Sequence, residues 1–355
     1  MLLSNFIVTE RLIHSLKTAI AVVFAYLLAR LIGAPADQWI VISVVVVMCG
    51  QIYVGSMMQK SYLRLLGTLM GCLCAALPIY FLPNSYLATL ATIAFVSFVF
   101  SYLATSYENL SQMGTLGAVT TIIILFSHPP SLTFAASRFL EISAGIVIAA
   151  VVSQFIFPIH ARTHLRRSQA STMGQLRDYY VAAVINRFTT GTDADRSDLD
   201  EKIIASLLKQ RQLAKESAPE LIGKRFDPQH FARALFCERE VLRAINFMDL
   251  ALSRVGGIQS IYSAENPLTP FNTGVTDALE VLSRMFRTNQ LNNAHIHLPD
   301  IKPVTKALHQ HPDFTSTGQR IYLDGFVFAA EVLVNNLREL AMLYNIPVSP
   351  TPLPA

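Results

Sequence analysis

The sequence predicts an all-α membrane protein, six transmembrane helices followed by a cytoplasmic helical bundle, on three observations. Hydrophobic residues make up 52% of the chain against 15% charged, and the mean hydropathy is +0.41. The charge is unevenly placed: of 28 Lys and Arg and 24 Asp and Glu over 355 residues, only ten fall within residues 1–160. Six apolar runs in that half approach the ~20 residues that cross a bilayer as a helix. The expected organisation is a six-helix transmembrane domain over 1–160, a cytoplasmic helical domain over 161–347 and a disordered tail over 348–355.

The runs lie near 13–33, 38–56, 62–82, 85–105, 109–128 and 138–159. Ala34-Pro35-Ala36 after the first mimics a signal-peptide cleavage site, but further spanning segments follow at once, so an uncleaved first helix is expected. The second run is headed by Trp39, is rich in Val and Ile, and has a Gly-broken end near Val54-Gly55. Its length and membrane neighbours favour a helix, because an open strand cannot satisfy its backbone in lipid. Orientation follows from Lys and Arg near the segment ends. With the N-terminus in the cytoplasm, the inner side receives Arg11, Lys17, Lys60, Arg64, Arg162, Arg166 and Arg167, and the outer side only Arg30 and Arg138. Both termini are therefore expected in the cytoplasm. The tract from His160 to Arg167 marks the exit and suits an anionic-lipid anchor.

The second half reads as helices near 161–188, 198–216, 228–255, 272–289 and 317–344, with loop signals at Gly191–Asp195, Ala264–Pro267, Asn292–Pro303 and Pro312-Asp313. Leu323, Phe326, Val327, Ala330, Val334 and Leu337 form a core-facing stripe in the last. Strand signals are absent, and a helical bundle is the natural assignment.

Several chemistries are excluded or disfavoured. No nucleotide-binding GxxxxGK[ST] loop, GxSxG elbow or HExxH helix occurs, so no catalytic residue, metal or cofactor is expected. The net charge of +4 is spread along the chain, without the basic stripe of a nucleic-acid binder. Cys49, Cys72, Cys74 and Cys237 make no disulfide framework. The cluster Asp193, Asp195, Asp198, Asp200, Glu201 fails the EF-hand test, with Asp198 where Gly is needed and Ile204 where the bidentate Glu belongs. Ser197 with Asp200 instead resembles a capping box. The pairs His295/His297 and His309/His311 lack a third ligand at metal spacing and read as solvated histidines.

The intramembrane ionisable residues carry the functional signal. A charge at membrane depth costs roughly 2.5–3.5 kcal/mol on insertion scales. Arg64 and Arg138 stand out, followed by Lys60, Glu141 and Lys17; for Lys17 and Lys60, snorkelling to the interface is the expected behaviour. Below Arg64 runs the small-residue ladder Gly67, Gly71, Ala75; below Arg138 runs Gly145, Ala149, Ser153. Arg64, Gly71 and Ala75 match Arg138, Gly145 and Ala149 at identical offsets. The two copies are the third and sixth helices and enter the membrane from opposite sides, as in an inverted three-helix repeat. One guanidinium at each end of a central path would select carboxylates and other anions. Glu141 stands where the first Gly of the ladder would be, three residues from Arg138, in position to neutralise it.

Trp39, the Val-rich run, Val54-Gly55 and Arg64-Leu-Leu-Gly67-Thr68-Leu-Met-Gly71 resemble the signature of the fusaric acid resistance and aromatic acid exporter proteins, an element shared with plant aluminium-activated malate transporters. Arg138, Gly145, Pro158 and Arg162 are similar to that family's sixth helix and exit. The similarity covers roughly residues 10–167. It implies an inner-membrane unit that exports organic, often aromatic, carboxylates, with Arg64 and Arg138 near the anion path; Lys60 and Glu141 join the expected path as intramembrane charges rather than by the resemblance. Many bacterial members carry two six-helix units; this chain has one, so a homodimer is implied. The partners expected are a second copy, the lipid bilayer and a periplasmic adaptor protein, with no nucleic acid. Two alternatives stand beside efflux: a passive organic-anion channel, and a non-transport membrane scaffold whose cytoplasmic bundle binds partners.

Overall fold

The computed structural model describes residues 2–33, 37–83, 85–106, 110–127, 129–189, 197–220, 226–255, 268–288, 295–310 and 317–350, leaving aside the side chains of 2–9, 37, 189 and 350. Contacts divide the chain into two compact units, Met1–Ala161 with Glu216–Arg225, and Arg162–Lys215 with Phe226–Ala355. The first unit thus includes Glu216–Arg225, which the sequence reading places in the bundle.

The first unit is built of α1 (Leu2–Ile32), α2 (Asp37–Cys49), α3 (Val54–Phe81), α4 (Tyr86–Ser106), α5 (Ser111–Leu125) and α6 (Leu132–Phe155). Four are long and apolar enough to cross a membrane: α1 over Glu10–Ile32, α3, α4 and α6. α2 and α5 are apolar but shorter, 13 and 15 residues. At ~1.5 Å per residue they span ~20 and ~22 Å, less than the ~30 Å hydrocarbon core. Among the described residues four helices thus reach spanning length, and two of the six expected spans are shorter apolar helices. In α4 only Val96 and Phe100 are buried, while Phe95, Phe98 and Tyr102 point outward. An exposed face this apolar suits lipid rather than water.

The break between α2 and α3 differs from expectation. Val54-Gly55 does not end the second run; it opens α3, and the chain turns at Gly50–Tyr53. The stop falls earlier because Gly50 follows the Val-rich segment, whereas Gly55 is held in helix by what packs on it.

The principal packings are α1 on α2, α4 on α5, α2 on α6, α5 on α3, and α3 on α6. Advancing every label by three, with α6 followed by α3, turns this list into itself. The third helix of each half packs against the second helix of the other, as an inverted repeat requires.

The second unit contains α7 (Ala161–Tyr180, its first residue in unit one), a π-helical turn at Val181–Ile185, α8 (Asn186–Thr189), α9 (Ser197–Ser217), α10 (Pro228–Ser253), α11 (Leu268–Thr288), α12 (Lys302–Gln310) and α13 (Thr317–Leu343). One apolar core is formed by Leu176, Tyr180, Val241, Ile245, Leu279, Leu282, Phe326, Leu333 and Leu337 among others. α9 opens at Ser197 with Asp198 and Asp200 in its first turn, the placement that favours acids at a helix start. Asp227 caps α10, accepting from the backbone N–H groups of Gln229 and His230.

Two corrections belong to this unit. β1 (Ile296–Leu298) and β2 (Val348–Pro350) form a parallel pair, so strands are present and the tail is ordered through Pro350; residues 351–355 lie outside the described residues. Three-residue strands are too short to show a period of two, and their partners are some 50 residues apart. α12 begins inside the loop expected over Asn292–Pro303, because a proline is tolerated in the first turn of a helix and Pro303 is the second residue of this one.

Candidate functional site

The buried face of α3 carries Met57, Ser61, Arg64, Gly67, Thr68, Gly71, Ala75 and Pro78, and that of α6 carries Ala135, Arg138, Glu141, Gly145, Ala149, Val152 and Ser153. The small residues let neighbouring backbones approach. A Cβ on Gly71 would lie 2.5 Å from the carbonyl oxygen of Gly117 on α5, and one on Gly145 would lie 2.5 Å from Ser43 Cβ and 2.6 Å from the Ile40 carbonyl oxygen on α2. Gly67 meets the Met113 carbonyl in the same way. Thr121 Oγ1 donates to the Gly71 carbonyl at 3.0 Å, fixing the α3–α5 contact.

α3 and α6 run antiparallel. Cys72 Sγ lies 3.6 Å from the Ala135 carbonyl oxygen, which places these residues at one level. Arg64 lies eight residues from that level and Arg138 three, both toward the start of α3. At ~1.5 Å per residue the two arginines are ~7 Å apart along the helix axes. Neither stands at a helix mouth: α3 begins ten residues before Arg64, and α6 six residues before Arg138.

Their surroundings differ. Arg138 is 6% exposed and its Nη1 lies 3.0 Å from Glu141 Oε2. That contact is an ion pair without aligned hydrogen-bond geometry. The guanidinium also lies 4.5 Å from the ring centre of Trp39 on α2 and 4.6 Å from that of Phe134. Arg64 is 7% exposed, has no ion-pair partner among the described residues, and its Nε is buried without a hydrogen-bond acceptor. Thr68 one turn on turns its hydroxyl back to the Arg64 carbonyl at 2.9 Å.

Lys60 is exposed and apart from this buried face. Lys17 corrects the snorkelling expectation: it is fully buried, and Nζ donates to the Ser153 carbonyl at 3.2 Å, in the last turn of α6. His14 Nε2 lies 2.9 Å from the Met48 carbonyl oxygen at the end of α2. A cation and an imidazole on α1 thus meet two helix C-termini, where the backbone dipoles favour positive charge. The burial of Lys17, though not its partner, had a signal in the sequence: Lys17, Ala21, Ala25 and Ala29 recur every four residues and all are buried, another cation-headed ladder of small residues. The Trp39–Arg138 contact had no such signal, since nothing local joins residues on two helices.

Among the described residues no group of three or more His, Cys, Asp and Glu gathers as for a metal ion. His295 and His297 stack and share Ser349 Oγ, and His309 Nε2 bonds Asp324 Oδ1 at 2.7 Å. His311, Asp193, Asp195 and Ala34–Ala36 lie outside the described residues.

Residues 11–221 match the sequence model of the Fusaric acid resistance protein family, a span that includes both arginines, both ladders and Lys17. The chain is also similar to the inner membrane protein YeeA of Escherichia coli (strain K12), at 24% identity over 173 residues. That match covers 49% of this chain and 48% of YeeA, so the chain spans about half the length of this curated relative.

Proposed function

The chain belongs to the fusaric acid resistance protein family, and from that premise we propose that it is an inner-membrane transporter exporting organic, aromatic carboxylates along the α3–α6 contact. The observation that carries this reading is Arg64, a buried guanidinium on a membrane helix with no carboxylate paired to it among the described residues. Burying such a charge is costly unless a counter-charge compensates it during the working cycle. A guanidinium offers paired donors that match a carboxylate, and its plane stacks on an aromatic ring, so an aromatic acid meets both features. α2 and α5 complete six crossings in this reading, with both termini in the cytoplasm as the distribution of Lys and Arg favours. A second copy, and a periplasmic adaptor to carry the acid onward, would complete the exporter.

Arg138 takes a different part: paired with Glu141 and faced by two rings, it anchors α6 to α2. The path then has one binding cation, not one at each end. The test is flux of benzoate, as the probe carboxylate, from liposomes containing the full-length protein. Arg64→Ala is expected to lower the flux about 100-fold, the loss of two charge-assisted hydrogen bonds, with the fold intact. No flux of benzoate or malate through the intact wild-type protein sinks the transport reading in favour of a scaffold.

A further inference from the structure

Where α9 ends, the chain rejoins the first unit. Ala218-Pro219 stops the helix, since proline has no N–H to donate and disfavours helical geometry in the residue before it. The turn closes through the Glu220 N–H and the Ser217 carbonyl at 3.2 Å, and both residues are buried, Ser217 completely. Glu220 Oε1 accepts from the Ala161 N–H at 2.6 Å. Ala161 opens α7, so the carboxylate occupies a helix start, where the backbone N–H groups have no partner within the helix. Glu220 Oε2 lies 3.8 Å from His160 Nδ1.

On its other side the turn rests on Gly55. A Cβ there would lie 2.9 Å from Glu220 Cγ and 3.3 Å from its backbone nitrogen, and would overlap the Glu216 carbonyl oxygen. Beside it the Val54 N–H donates to the Ile159 carbonyl at 3.1 Å. Three segments distant in sequence therefore meet at one buried point: the first turn of α3, the junction after α6, and the turn that ends α9. The family-matched span ends at residue 221, one residue beyond this contact.

We propose that the Ser217–Glu220 turn is a latch on α3, and that Glu220 is a positioning residue that holds the first turn of α3 and with it the register of Arg64. Gly55 and Arg64 stand on the same helix nine residues apart, ~14 Å along its axis, and a continuous helix moves as a body over that length. Backbone groups make up much of the contact: the Glu216 carbonyl and the Glu220 nitrogen against Gly55, the Val54 N–H on the Ile159 carbonyl, and the Ala161 N–H on the Glu220 carboxylate. The coupling to transport rests on the reading of Arg64 as the binding cation.

The experiment uses the full-length protein in liposomes, with benzoate flux and amide hydrogen exchange measured on the same samples. Glu220→Ala is expected to speed exchange at Ala161 and in the first turns of α7 and α3 about ten-fold, and to lower flux by a similar factor, while Trp39 fluorescence is unchanged. Glu220→Gln, which keeps the accepting oxygen, is expected to stay near the wild type in both. Where Glu220→Ala does not fold, Glu220→Asp, one methylene short of Ala161, gives the same readouts. Faster exchange with wild-type flux overturns the coupling, and unchanged exchange overturns the latch itself. A wild-type protein that passes no benzoate defeats the transport reading alone; the α3 exchange in Glu220→Ala then still supports or overturns the latch.

Discussion

Arg64 and Arg138 sit above matching ladders on α3 and α6, each seventeen residues from the last residue of its helix. Both are nearly fully buried. By sequence offset they are equivalent, yet one is held by Glu141, Trp39 and Phe134 while the other has no counter-charge among the described residues. The lesson is that the ladder and the cation are separate devices. The ladder serves helix packing in both copies. What surrounds each arginine, on its own helix and on its neighbours, differs between the copies, and the proposed path uses Arg64 because its charge is unpaired among the described residues.

The largest expected effect breaks that comparison at Arg138. Arg138→Gln removes one partner of a buried ion pair and strands Glu141, which costs about 3–5 kcal/mol. Arg138→Gln with Glu141→Gln strands nothing and should recover most of that loss. Trp39 is the only tryptophan in the chain and touches the site, so its fluorescence during unfolding of the detergent-solubilised protein reads the change directly. A double variant as unstable as the single one, or one that abolishes benzoate flux while folded, would return Arg138 to the anion path.

The next effect sharpens what the two regions share. Gly71→Ala and Gly145→Ala each place a methyl group against neighbouring backbone, at the Gly117 and Ile40 carbonyl oxygens, and both helices would have to move apart. Overpacking of this kind costs about 1–3 kcal/mol. Equal losses of thermal stability in the two variants are expected if the halves are equivalent in packing. A harmless substitution at one position and a severe one at the other would mean that the repeat is one of offsets only.

How far these features were legible follows from the kind of contact involved. Long apolar runs marked α1, α3, α4 and α6, because spanning length is a local property of the chain. The same reasoning overran at α2, where Gly50 stops the helix before Gly55 is reached, since two glycines five residues apart look alike until one is packed. The offsets of Arg64, Gly71 and Ala75 against Arg138, Gly145 and Ala149 revealed the ladders, which are periodic and so visible in one helix. Glu141 was legible as a partner of Arg138 because it lies one turn away on the same helix. Trp39 on Arg138, Lys17 on Ser153 and Glu220 on Ala161 were not. Each joins segments whose relative register is set only by packing, and sequence carries no separate mark of that register.

The smallest effect tests, in the second unit, what a buried carboxyl does when no cation is present. Glu238 on α10 is fully buried, and no Lys, Arg or His pairs with it among the described residues. Gln210 Nε2 donates to its Oε2 at 2.7 Å and also reaches Thr172 Oγ1 at 2.9 Å. Burial outweighs the hydrogen bonds from Gln210 and Gln169 and pushes the carboxyl up to about 8 from its ordinary 4.5. Between those values the folded chain keeps a proton that the unfolded chain has released. Stability from this group is therefore complete below pH ~4.5, falls as pH rises toward ~8, and is level above that. The slope is at most about 1.4 kcal/mol per pH unit, the equivalent of one proton. Amide exchange in α10 of the full-length protein, corrected for the intrinsic effect of pH, should show opening become easier across this window, and Glu238→Gln should flatten the slope by keeping the neutral shape at every pH. A wild-type opening free energy that does not change with pH would mean that Glu238 is charged in the fold. It would then need a cation as Glu141 needs Arg138, and the contrast between the two buried carboxyls would disappear.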